Sequence, residues 1–424
     1  MSDRAQPHSA TTAPGGLPPT GNAGLALGIG LAGLALTVMG FFVSDPRGVA
    51  LSWLLAVGFW TLIALGMLVL VLLHHIFDAG WSTVIRRQFE HGLAAFKWLF
   101  LLFLPLVALS AYLKPGLVWI WMNPLAVLPG THETVGEDPL FLKKAGYLNP
   151  GFFGLRVAVF FAIWIWLAYV MRRNSFRQDA DGDARWTLSS RWWSAVGIPL
   201  VALSITFASI DWFKSLEYHW FSTIYGVYFF ATGMRGALAC GVLIMVWLYR
   251  RGNYRGILNN NHLHSIGQLM LTFTVFWAYI GFSQYFLIWN ANVPEETFYF
   301  NLREHGDWYW VGMAVLFLYF LFPFCFLLSY RHKLDHGRVR FIAWWILVML
   351  FVDICFNTLP AFRDATGQPR PFFSTAIVWH LTALAGVGGI CVWAYLRSFA
   401  TTKLIPIRDP RIGESLTHHE VSAG

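Results

Sequence analysis

Long apolar runs, broken by short polar stretches, repeat along almost the whole chain. Ten of them are read, at about 24–43, 50–75, 93–112, 152–171, 194–213, 220–249, 266–290, 308–330, 340–358 and 374–396. A helix rising 1.5 Å per residue needs about 20 apolar residues to cross a bilayer core, and most of the runs have that length. They lack the period-two alternation of a barrel strand, and lipid leaves no partner for an open strand's backbone, so they predict helices. The expected fold is an all-α integral membrane protein of about ten transmembrane helices. Residues 1–23 are polar and rich in Pro, Gly, Ser and Thr, without the layout of a secretory signal, and read as a disordered tail. The membrane domain runs over 24–396, and 397–424 reads as a second tail.

Composition agrees with this reading. The 424 residues are 57% hydrophobic and only 12% charged, too little charge to cover a soluble protein of this size. Trp, Tyr and Phe (22, 15 and 37) suit the two membrane–water interfaces. The net charge of +8 does not point to nucleic acid, because the basic residues gather in loops. Nineteen Lys and Arg fall in the tails and the loops on one side of the ten spans, against eight in the loops on the other. By the positive-inside rule the first side is cytoplasmic, with both termini there, as expected of an inner-membrane protein. The opposite loops, 44–49, 113–151, 214–219, 291–307 and 359–373, are aromatic and mixed in charge. A surface covered by a partner subunit and loops lying among lipid headgroups are both consistent with that.

Ionisable groups inside a span are expensive and usually face the bundle interior. Three groups stand out. At the inner end of the second span lie His74, His75 and Asp78, with His74 and Asp78 four apart and hence on one helical face. They read as a proton inlet or as an interfacial cluster hydrating a helix end. The run FASIDWFKSLEYHWFSTIYG packs Asp211, Lys214, Glu217 and His219 into a turn between spans five and six. A quinone headgroup needs donors, acceptors and a titratable group, which these supply; a charge-paired hairpin is the alternative. Deeper in the membrane, Arg235 needs a counter-ion, for which Asp353 and Asp211 are candidates. Tyr279, Ser283 and Gln284 of span seven, with Asp353 and His380, extend this set into a possible hydrogen-bonded path outward, although such residues also glue helices together.

The four cysteines lie inside apolar runs with no CxxC or CxxCH, which excludes cluster ligation and c-type haem attachment by this chain. Haem b needs two histidines at one depth on neighbouring helices; His219 and His380 could share a depth, but His219 sits at a turn, so haem b is not expected. No metal site is expected.

The runs SIDWFKSLEYHWFSTIYGVYFFATG and FWAYIGFSQYFLIWNANVPEETFYFNLR resemble the ActF family, membrane subunits of bacterial alternative complex III within the NrfD-like (polysulfide-reductase membrane subunit) superfamily. The resemblance covers spans two to ten. It implies two four-helix bundles, about 50–213 and 220–358, flanked by the first and last helices. It implies a subunit of a quinol:electron-acceptor oxidoreductase that supplies a proton path or a second quinone or menaquinone site, with the principal quinol site in the sister subunit, and not a stand-alone enzyme. The implied partners are a homologous membrane subunit, an iron–sulfur protein, multihaem cytochromes c carrying haem c, and a haem-copper oxidase, besides lipids. Motif positions Asp211, Lys214, Glu217, His219, Tyr279, Ser283 and Gln284 carry the resemblance.

Two other functions fit the same pattern. A secondary transporter also has buried polar residues among ten helices, but Pro105, Pro199 and Pro323 form no paired pattern of broken helices. A structural anchor for extrinsic redox subunits predicts that the buried polar residues are dispensable once the complex has assembled.

Overall fold

The computed structural model describes residues 22–364, 366–374, 376–399 and 402–418. Among these described residues, ten helices are long and apolar enough to cross a membrane: α1 Ala23–Val43, α2 Pro46–Phe77, α3 Gly80–Leu113, α4 Pro150–Asp181, α5 Arg185–Trp212, α6 Tyr225–Arg250, α7 Asn260–Ala291, α8 Gly306–Leu328, α9 His336–Ala361 and α10 Ala376–Phe399. Every expected span is found, and the chain is an all-α membrane protein.

Helices α2 to α5 close one four-helix bundle and α6 to α9 a second, each by contacts between sequence neighbours and between its first and last member. The bundles meet through α2 and α6, the two most deeply buried helices. Small residues make that contact close. A Cβ on Gly233 would lie 2.7 Å from the Leu62 carbonyl, and one on Gly66 would collide with the Gly233 carbonyl. Helices α1 and α10 pack on each other outside α2 by the same device: a Cβ on Gly33 would stand 2.6 Å from the Gly386 nitrogen. Without a hydrophobic drive between helices in lipid, such close backbone approach supplies the dispersion energy that holds them.

Two of the spanning helices contain π-helical turns. α3 ends in a π-helical turn, Leu109–Leu113, just after Pro105. In α8 a π-helical turn, Val315–Leu321, precedes Pro323. Pro323 has no N–H for the carbonyl four residues back, which is that of Tyr319.

The largest departure from expectation is on the side holding both described ends of the chain, called here the C-tail side. The segment expected as the loop 76–92 is mostly the beginning of α3, and Thr83–Gly92 is buried throughout. The segment 402–418, expected as a tail, folds over it. The first 21 residues, expected to be disordered, lie outside the described residues.

Candidate functional site

The hairpin between α5 and α6 does not form one cluster. Asp211, Glu217 and His219 each face a different neighbour. Asp211, at the end of α5, is fully buried and held by Arg156 of α4 through two hydrogen bonds, Nε to Oδ2 at 2.6 Å and Nη2 to Oδ1 at 3.1 Å. Arg156 also donates to the Tyr147 carbonyl at 2.8 Å and stacks 3.8 Å above the Tyr147 ring. Glu217 pairs with Arg363 from the 359–373 loop. His219 bonds Asp138 of the long 113–151 loop, Nε2 to Oδ2 at 2.5 Å, and Tyr218 donates to the same oxygen at 2.6 Å. Burial opposes ionisation of Asp138, but these two hydrogen bonds, the Leu140 N–H and the charge of His219 together hold its carboxyl below the ordinary value. Lys214 has no carboxylate partner among the described residues. Burial, helped by the nearby Lys144, pushes its amine down to about 8.

Inside the second bundle the arrangement is different. Asp353 of α9 is fully buried. Its Oδ1 accepts from the Tyr228 hydroxyl of α6 and from Asn357 Nδ2 at 3.2 Å, while among the described residues Oδ2 closes no well-aligned hydrogen bond, with Trp277 and Thr232 as its polar neighbours. Arg235, two turns further along α6, closes no ion pair with Asp353 or Asp211, contrary to expectation. Its Nη2 instead donates to the Tyr319 carbonyl at 2.7 Å, the acceptor left free by Pro323. Its guanidinium lies 3.6 Å from the Tyr319 ring centroid and 5.0 Å from that of Trp277, and these contacts take the place of a counter-ion. Among the described residues, Arg235 Nε and Nη1, Tyr319 Oη, Trp277 Nε1 and Asp353 Oδ2 are buried and close no well-aligned hydrogen bond. A buried polar atom left without a well-aligned partner costs about 1–3 kcal/mol, so this cluster is one that bound water could complete.

From Asp353 the polar contacts lead away from the C-tail side. Asn357 accepts from the Tyr299 hydroxyl at 3.3 Å, and Arg303 donates to the Asn357 carbonyl at 3.0 Å. Tyr299 stacks on Trp220 with centroids 3.8 Å apart. Beyond them lies a cavity of about 460 Å³ among the outer loops, lined by Phe298, His305, Asp307, Trp308 and Arg363.

The remaining membrane candidates lie elsewhere. Tyr279 is 66% exposed on the outer face of α7, and Ser283 is half-exposed, so the expected path does not run along them. The inward residues of α7 are Thr274, Trp277 and Gln284, and Gln284 accepts from Ser222 at 3.0 Å. His380 of α10 is buried against α2, with Nδ1 2.6 Å from the Ser52 hydroxyl.

On the C-tail side His74 and Asp78 share a helix end but do not bond through their side chains. Arg86 donates to His74 Nε2 at 2.7 Å, so this ring is neutral with its proton on Nδ1, directed at Ser82 Oγ, also at 2.7 Å. His75 packs edge-on against His74, and its Nε2 has no partner. Asp78 turns outward to Arg191 (2.6 Å) and to Arg411. Around them lies a buried ionic network that the sequence reading missed. Glu90 takes Arg86 at 2.8 Å and Arg87 at 3.1 Å, Arg86 reaches Asp409 at 2.9 Å, and Arg87 reaches Asp179 at 2.7 Å. The signal was present: two adjacent arginines followed at i+4 and i+3 by Glu90 is a helical pairing pattern, and it argued against a loop.

Compared with known proteins, the sequence matches no family model and no curated protein.

Proposed function

We propose that this chain is an ActF-like membrane subunit of a quinol:electron-acceptor oxidoreductase, and that its second bundle carries protons for redox chemistry performed by partner subunits. The observation that carries this reading is the buried set of polar atoms without well-aligned partners around Asp353 and Arg235. A carboxylate with one oxygen in that condition, beside an arginine with two such donors, suits a hydrated proton-handling site. The chain Tyr228, Asn357, Tyr299 supplies hydrogen-bonding groups from that site toward the outer loops. The motif resemblance supplies the redox context and the class of partners: a sister membrane subunit, an iron–sulfur protein and cytochromes c. The Lys and Arg asymmetry assigns the C-tail side to the cytoplasm, and the outer loops to the face where those partners dock.

Within this reading the pairs Asp211–Arg156 and His219–Asp138 fix the hairpin and the long outer loop. Lys214, half-buried and without a carboxylate, is the hairpin group free to meet a quinone carbonyl. The test is Asp353→Asn in the assembled complex, reconstituted in vesicles. Quinol oxidation is expected to slow and proton release per quinol to fall. Turnover and proton release equal to the wild type would contradict the proposal.

A further inference from the structure

A second cavity, of about 680 Å³, opens between α1, α2, α3, α6, α9 and α10, and neither Asp353 nor Arg235 lines it. Its outer lining includes Leu25, 66% exposed, and Trp344, 58% exposed; its inner lining includes Ala64 and Cys391, both buried. It is therefore a groove running from the lipid-facing surface into the core. Its walls are almost wholly apolar. The polar atoms along its depth are engaged or weak: Tyr395 donates to Gln88 at 2.8 Å, Trp60 donates to the Leu384 carbonyl at 3.1 Å, and Cys240 and Cys391 offer only thiols.

The charge lies at one end. Arg250 closes α6 and Arg340 begins α9, both on the C-tail side and both lining the groove. Neither makes a hydrogen bond or an ion pair among the described residues. Arg251 adds a third guanidinium, 5.0 Å over the ring of Trp247, which also lines the groove. Cations that face a lipid-open groove without any acid call for an anion anchored in lipid.

We propose that this groove is a binding site for an anionic phospholipid, with one acyl chain in the apolar channel and its phosphate on Arg250 and Arg340. A quinone fits poorly here, because the deep end lacks free donors for its carbonyls and the mouth offers cations to a neutral ring. The site does not depend on the proton-handling role of the second bundle.

The test uses the full chain, equilibrated with vesicles of equal phosphatidylglycerol and phosphatidylcholine, extracted and weighed by native mass spectrometry. Wild type is expected to retain one phosphatidylglycerol in preference to phosphatidylcholine. Each arginine near a lipid phosphate contributes about fivefold (about 1 kcal/mol), so the double variant Arg250→Gln/Arg340→Gln should bind roughly thirtyfold more weakly. Arg250→Lys/Arg340→Lys should keep most of the preference, and Arg331→Gln, an exposed arginine outside the groove, all of it. Retention by the glutamine variant equal to wild type overturns the proposal, as does a retained molecule that is a neutral lipid or a quinone. If the variant fails to fold, wild type labelled with a diazirine-bearing phosphatidylglycerol decides. Label at Trp60 or Cys391 supports the site, and label confined to the lipid-facing surface contradicts it.

Discussion

Arg156 holds both oxygens of Asp211, at 2.6 and 3.1 Å, whereas one oxygen of Asp353 closes no well-aligned hydrogen bond among the described residues of the second bundle. Each aspartate is the sole acidic residue of the last helix of its bundle. In both, the side chain four residues on returns a hydrogen bond to the aspartate carbonyl: Ser215 to Asp211 at 2.5 Å and Asn357 to Asp353 at 2.8 Å. One architecture thus carries a closed ion pair in its first half and an open carboxylate in its second. The closed pair is suited to holding helices, the open one to exchanging protons.

The first prediction follows from that closure. Asp211→Asn leaves Arg156 buried without its carboxylate, and breaking a buried pair from one side costs about 3–5 kcal/mol. The thermal midpoint of the purified protein should drop steeply. The paired change Arg156→Leu/Asp211→Leu should restore much of it, because neither charge is then left alone. Equal losses for the single and double variants would refute the pairing.

Lys214 gives a pH dependence with a definite sign. Its amine is pushed down to about 8 from an ordinary 10.5. Between those values the unfolded chain holds a proton that the folded chain has released, so stability rises with pH across that window. Below about 8 both forms are charged and the burial penalty is fully present. Lys214→Met should therefore raise the thermal midpoint at pH 7 and leave it nearly unchanged at pH 10.5. Methylation of Lys214 followed by NMR should report half-titration near pH 8.

Glu90 neutralises two buried arginines at once. Glu90→Gln should destabilise the C-tail side more than Asp409→Asn, since Arg86 keeps Glu90 when Asp409 is lost. Limited proteolysis within 402–418 reads both effects. Faster cleavage in Glu90→Gln than in Asp409→Asn, with wild type slowest, is expected.

At the seam between the bundles, Gly66→Val should prevent folding or assembly, because its side chain would meet the Gly233 backbone rather than a side chain that can move aside. Gly154→Val, on α4 with open space around it, should be tolerated. Size-exclusion profiles of the two variants in detergent distinguish them.

The spans were legible because a bilayer demands an apolar length that composition displays directly. Asp353 and Arg235 were legible because a charge at that depth is expensive. The inward face of α7 was not legible: lipid and protein interior are equally apolar, so spacing alone put Tyr279 inside when it faces out. Arg156 lies within an apolar run, but its pairing with Asp211 depends on how α4 meets α5. The buried segment Thr83–Gly92 escaped because its polar residues look solvated until the folded-back 402–418 segment supplies their partners. Asp138 escaped because it lies in an irregular loop whose path carries no periodic signal.

The most direct measurement of the central claim is a high-resolution density map of the second bundle in the native membrane complex. Ordered water bonded to Asp353 Oδ2 and to Arg235 Nε or Nη1, continuing past Asn357 and Tyr299, is the predicted result. A dry interior in which Asp353 and Arg235 close directly on each other or on fixed side chains would contradict it.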